Sequence, residues 1–221
     1  MKNTVNKSIG IILPIVLFFL FSYASAQQKQ DEPKDAKFYI DRAIAYGDKG
    51  QFDQAIADLT KALEIDPKRA DAYYFRGIAY ANKGQHDQAI SDFTKALEVG
   101  PKDANAYYNR GIAYVIKGQF DQAIADFNMV LKIDPKSVSA YYNRGVAYGA
   151  KGQNDQAIAD FNRVLKINPK SAGSYYNRAI AYYLKKEYDK SWKDIKQAQD
   201  LGHNIPSEFL ENLRNASGRQ N

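Results

Sequence analysis

From Ala36 onward, apolar residues recur at helical spacing for about thirteen positions, break, and resume for about as many. In "AYYNRGIAYVIKGQFDQAIADFNMVLKIDPKS", residues 106–137, the first run stops at Lys117-Gly118-Gln119 and the second at Asp134-Pro135. Almost the same words begin again at Ala140. The pattern predicts a helix hairpin written several times over, each unit needing a neighbour to cover its apolar face.

The period is fixed by residues of several kinds. Prolines stand at Pro33, Pro67, Pro101, Pro135 and Pro169, each 34 residues after the last. Gly50, Gly84, Gly118 and Gly152 keep the same step, as do Tyr46, Tyr80, Tyr114, Tyr148 and Tyr182. Framed from Ala36, five copies cover 36–69, 70–103, 104–137, 138–171 and 172–205. The glycines sit where a first helix would close in a left-handed residue. Asp53, Asp87, Asp121, Asp155 and Asp189 fall in the first turn of the second helix, at the positive end of its dipole. Small residues at Ala43, Gly77, Gly111, Gly145 and Ala179 are expected to face Ala55, Ala89, Ala123, Ala157 and Ser191. Leu59, Phe93, Phe127, Phe161 and Ile195 are expected to fill the gap to the next unit.

The 34-residue step, the Tyr, Gly, Ala, Phe and Pro places and the "GQFDQAI" joint resemble the tetratricopeptide repeat family over residues 36–205. The resemblance implies an all-α fold: a right-handed superhelical solenoid of five helix-turn-helix repeats. The fifth copy departs from the pattern, with Lys186 for the turn glycine, Ser191 for the alanine and His203 for the proline, as suits a terminal unit. After it, "IPSEFLENLRN" predicts a capping helix over 206–215, with Phe209, Leu210 and Leu213 on one side, followed by a disordered tail at 216–221.

Composition narrows the function. Residues 1–26 have a lysine-bearing start, an apolar run from Ile9 to Phe21 and then Ala24-Ser25-Ala26, the layout of a cleaved secretory signal. A polar linker at 27–35 follows. The expected location is therefore periplasmic or secreted, without stable membrane insertion; the competing reading is an uncleaved anchor. The chain has no cysteine, so stability must come from packing alone. Two histidines, no glycine-rich loop after a strand and no metal-ligand spacing leave no catalytic constellation, so neither an enzyme, a cofactor nor a small-molecule substrate is expected. His86 reads as a turn residue, since Phe52, Phe120, Asn154 and Tyr188 hold the same place.

In this family the first helices line the concave side and contact a partner segment. Carried onto this sequence, that places Tyr74, Tyr108, Tyr142 and Tyr176 on the inner wall beside Asn109, Asn143 and Asn177. Phenols offer flat apolar faces with polar tips, and carboxamides can meet main-chain amides, which suits a protein or extended peptide. The carboxylate clamp of chaperone-binding members is missing, with Ile40, Ile44 and Phe75 at the corresponding places. The expected function is a non-enzymatic scaffold in the cell envelope. The alternative is polyanion or nucleic-acid binding through Arg42, Arg76, Arg110, Arg144 and Arg178. Asp58, Asp92, Asp126, Asp160 and Asp194 recur in step with them and are expected to pair with them. Because such pairs are expected to be exposed, each is expected to contribute little.

Overall fold

The computed structural model describes residues 35–219; the proposed signal and most of the linker lie outside them. Among the described residues there are eleven helices and no strand. The helices are α1 (Ala36–Asp48), α2 (Phe52–Ile65), α3 (Ala70–Asn82), α4 (His86–Val99), α5 (Ala104–Ile116), α6 (Phe120–Ile133), α7 (Val138–Ala150), α8 (Asn154–Ile167), α9 (Ala172–Leu184), α10 (Tyr188–Asp200) and α11 (Ser207–Ser217). Each packs on its predecessor and successor, giving a solenoid of hairpins. The odd-numbered first helices also touch one another from α1 to α9, a closeness the second helices do not share. The first helices therefore form the inner side of the curve.

The turn inside each hairpin is closed as its residues dictate. Gly50 has φ 71°, its N–H reaches the Gly47 carbonyl at 2.9 Å, and the Gln51 N–H reaches the Tyr46 carbonyl at 2.9 Å. That pair of bonds satisfies two carbonyls that a helix end leaves open. The fifth copy makes the same turn with Lys186 at φ 62°, the one non-glycine with positive φ among the described residues.

Packing inside the hairpin couples two places. A Cβ added to Gly77 would lie 2.8 Å from the Phe93 ring, and one added to Gly111 would lie 2.8 Å from Phe127. The phenylalanine thus closes its own hairpin as well as reaching the next one, where Phe161 shares a cluster with Ala181. Where the first helix has alanine, at Ala43 and Ala179, the second has the smaller Leu59 and Ile195. Volume is conserved across the contact.

The charged ladder is internal, which corrects the expectation of exposed pairs. Arg110 donates from Nε and Nη2 to Asp126 at 2.8 and 2.7 Å, and the same fork joins Arg42–Asp58, Arg76–Asp92, Arg144–Asp160 and Arg178–Asp194. All five aspartates are buried. The bond to Asp126 holds the Arg110 guanidinium above its ordinary value against the opposing effect of burial. Burial pushes the Asp126 carboxyl up, and Arg110 draws it back. The remaining guanidinium nitrogen crosses to the preceding hairpin: Arg76 donates to Thr60 at 3.1 Å and Arg110 to Thr94 at 2.9 Å.

At the C-terminal end, α11 runs to Ser217, two residues beyond the bound expected for the cap. Leu213 is fully buried, and Phe209 packs on Tyr183 with centroids 5.5 Å apart. Ser217 to Arg219, expected in a disordered tail, make contacts: Trp192 donates to Ser217 at 3.1 Å and Arg219 to Asp189 at 2.7 Å. The polar composition of this stretch concealed those two partners.

Candidate functional site

The inner wall is assembled from the first helices, whose 34-residue step returns each place once per hairpin. Tyr74, Tyr108 and Tyr142 are half-buried there with Asn109, Asn143 and Asn177. The two residue types are not independent ligands, as the sequence had placed them. Asn109 donates to the Tyr74 phenol oxygen at 3.1 Å, Asn143 to Tyr108 at 2.9 Å and Asn177 to Tyr142 at 2.9 Å. Each bond joins one hairpin to the next. Asn109 and Asn143 also give the amide to the Asn105 and Ser139 carbonyls in their own helices. Their carboxamide oxygens and the phenolic hydrogens have no hydrogen-bond partner among the described residues. Burial raises the Tyr74 phenol above its ordinary value, which keeps that hydrogen in place.

The ladder has ends. In the first copy Ile40 and Asp41 stand at these places, Ile40 buried and Asp41 paired with Lys37. In the fifth, Tyr176 is packed between His203, centroids 4.9 Å apart, and Phe209, 5.9 Å apart. Tyr176 therefore belongs to the cap contact, and the open wall runs from Tyr74 to Asn177.

Beside the ladder are three hollows between successive first helices. One, of 360 Å³, lies between α1 and α3 and includes Ile44, Phe52 and Ile78. A second, of 260 Å³, lies between α3 and α5 and includes Ile78, His86, Ile112 and Ile116. The third, of 310 Å³, lies between α7 and α9 and includes Val146, Asn154, Ile180 and Leu184. Asp48 is the single charged residue lining any of the three. Sequence reasoning had passed over this row, although the aliphatic place Ile44, Ile78, Ile112, Val146 and Ile180 keeps the 34-residue step.

Family models match continuously over residues 43–171: a TPR repeat model at 43–84 and 112–152, a tetratricopeptide repeat model at 70–103 and 138–171, and another at 93–125. The chain belongs to the tetratricopeptide repeat family. Among solved structures, this tetratricopeptide array is similar to YrrB, described as a TPR protein with an unusual peptide-binding site. They share 26% identity at a TM-score of 0.73 over 90% of this chain and 98% of that one. It is also similar to MamA, at 27% identity and a TM-score of 0.70 over 72% of this chain and 93% of that one. The likeness to MamA from Desulfovibrio magneticus RS-1, at 21% identity and a TM-score of 0.73 over 76% and 96%, is one of fold. No curated protein sequence matches.

Two further features of the array bear on what its surface can bind. Lys83, Lys117, Lys151 and Lys185 pair with Asp53, Asp87, Asp121 and Asp155 of the preceding hairpin, and Arg219 completes the series at Asp189. Opposite charges recurring in step at two places were the available signal for this ladder. The second feature is an outer apolar row, Ile65, Val99, Ile133 and Ile167, each the last residue of a second helix and 41 to 51% exposed. No helix among the described residues is long and apolar enough to cross a membrane.

Proposed function

We propose that the protein is a non-enzymatic scaffold of the cell envelope that holds an extended segment of a partner protein along the inner wall of the array. The observation that carries this reading is the wall itself: carboxamide oxygens and phenols at regular steps, beside open apolar hollows between the same helices. An extended backbone can meet those polar groups without regard to its side chains, while its side chains enter the hollows. The peptide-binding site named for YrrB supports the same use of the fold.

The polyanion reading finds less support. Each repeated guanidinium is engaged by a buried carboxylate, and Arg110, Arg144 and Arg178 also lie within 6.0 Å of two tyrosine rings each. A phosphate would have to displace an aspartate that is already desolvated.

A photoreactive residue at Ile116, on the inner wall, is expected to cross-link a partner in the native host, and the same residue at Ile167, on the outer row, is not. Cross-links from Ile167 alone would overturn the groove. The envelope assignment rests on the sequence of residues 1–26, and N-terminal sequencing of the host protein is expected to begin at Gln27. A start at Met1 in the membrane fraction would overturn cleavage.

A further inference from the structure

We infer that the segment bound in this groove is uncharged and apolar, and that it seats a hydroxyl-bearing side chain, serine or threonine, beside Asn154. The inference rests on the groove reading above and specifies the chemistry of its occupant.

The first part follows from charge. The hollows between α3 and α5 and between α7 and α9 have no charged lining residue, and the one between α1 and α3 has only Asp48. The recurring cations nearest in sequence are committed elsewhere: the arginines to buried aspartates, and Lys83, Lys117, Lys151 and Lys185 to the aspartates of the preceding hairpins. A carboxylate or ammonium entering the hollows between α3 and α5 or between α7 and α9 would lose water and gain no counter-charge, and a carboxylate entering the third would meet the like charge of Asp48. Aliphatic side chains meet Ile78, Ile112 and Ile116 in one hollow and Val146, Ile180 and Leu184 in the other.

The second part follows from an unpaired atom. Phe52, His86 and Asn154 occupy the same place in three copies, and each lines one hollow. Asn154 Oδ1 and His86 Nδ1 are buried without a hydrogen-bond partner among the described residues. A buried acceptor left open is costly, and a donor brought by the ligand removes that cost. Neither atom has accessible surface as the side chains stand, so the ligand meets them once the ring or amide turns toward its hollow; a hydroxyl then donates to Asn154 Oδ1, and it can either donate to or accept from the His86 nitrogen. The Phe52 hollow has no such atom and fits a purely aliphatic side chain. The three hollows therefore read different side chains along one segment.

The test uses an array of end-capped dodecapeptides with leucine at alternate positions, the others being glutamate, lysine or uncharged residues, and with each position replaced in turn by threonine and by valine. Uncharged peptides are expected to bind best, with less than about a twofold change in affinity between 50 and 500 mM salt. At one position threonine is expected to bind about tenfold tighter than valine, and Asn154→Leu is expected to abolish that difference. The variant should fold, because Phe52, Phe120 and Tyr188 hold the same place in other copies; a melting curve checks it. Preference for acidic or basic peptides, a threonine–valine difference that survives Asn154→Leu, or no binding by any peptide overturns the inference. If charged peptides bind and Ile112→Lys alters their affinity, the groove stands and its occupant is wrong. If bound peptides ignore both Ile112→Lys and Asn154→Leu, the groove reading itself fails.

Discussion

The three inner hairpins and the two end hairpins make the same contacts with different residues. Inside, glycine on the first helix admits a phenylalanine from the second. At both ends, alanine meets leucine or isoleucine. The inner side chains of Arg76, Arg110 and Arg144 are 15 to 18% exposed, whereas Arg42, in the first of the described hairpins, is 37% exposed. At the far end, His203 of the fifth copy and residues after it complete what a sixth copy would have supplied. Arg219 takes the place of the next lysine, and His203 and Phe209 cover Tyr176, where the next asparagine would have bonded. The difference teaches that a hairpin is not the stable unit of this molecule. Each is finished by its neighbour, and at the C-terminal end the chain has supplied a substitute for the next one, whereas among the described residues the first hairpin is the more open.

The largest effect should come from breaking the ion pair inside and at the edge. Asp126→Ala leaves the Arg110 guanidinium without its carboxylate and is expected to lower stability by about 3 to 5 kcal/mol. Asp58→Ala is expected to cost less, because Arg42 can turn to water. Urea unfolding of both variants measures the gap, and equal losses would mean that the end is as enclosed as the middle. Next is the substitute neighbour: Leu213→Ala removes a fully buried side chain from the cap and should cost about 2 to 5 kcal/mol by the same measurement. A near-zero loss would mean that α11 merely rests on the array.

A smaller effect tests the exchange of volumes. Gly111→Ala is expected to destabilise by about 1 to 3 kcal/mol through the Phe127 ring. Adding Phe127→Leu, which recreates the Ala43 and Leu59 pair, should restore most of the melting temperature. Failure of the double variant to recover would show that the ends tolerate alanine for some other reason. The smallest change is a gain. Lys186→Gly relieves a left-handed residue at the one hairpin turn without glycine among the described residues, and a stabilisation of about 0.5 to 1 kcal/mol is expected in thermal melts. A loss would mean that Lys186 makes a contact worth more than the strain.

The hairpins were legible because their marks are local and repeated: in the first four copies Lys-Gly-Gln ends the first helix, and Pro67, Pro101, Pro135 and Pro169 follow the second. Partnerships across the period were harder to read. Tyr108 and Asn109 adjoin in sequence, yet Tyr108 is bonded by Asn143 and Asn109 reaches back to Tyr74. Adjacent letters had suggested one ligand site, whereas the bonds run between copies. The same holds for Lys117 and Asp87, which lie 30 residues apart. Burial was misjudged for the arginine pairs because charge in a sequence carries no record of the neighbouring tyrosines that enclose it. The hollows depend on what is absent between helices, so no residue type announces them; only the 34-step row of aliphatics pointed that way.

The account stands or falls on which face meets the partner, and two aliphatic rows make that measurable. Methyl resonances of a labelled protein can be followed while a partner segment recovered by cross-linking is titrated in. Shifts are expected at Ile78, Ile112, Ile116, Val146, Ile180 and Leu184 on the inner wall, with Ile65, Val99, Ile133 and Ile167 unmoved. Shifts confined to that outer row would contradict the groove.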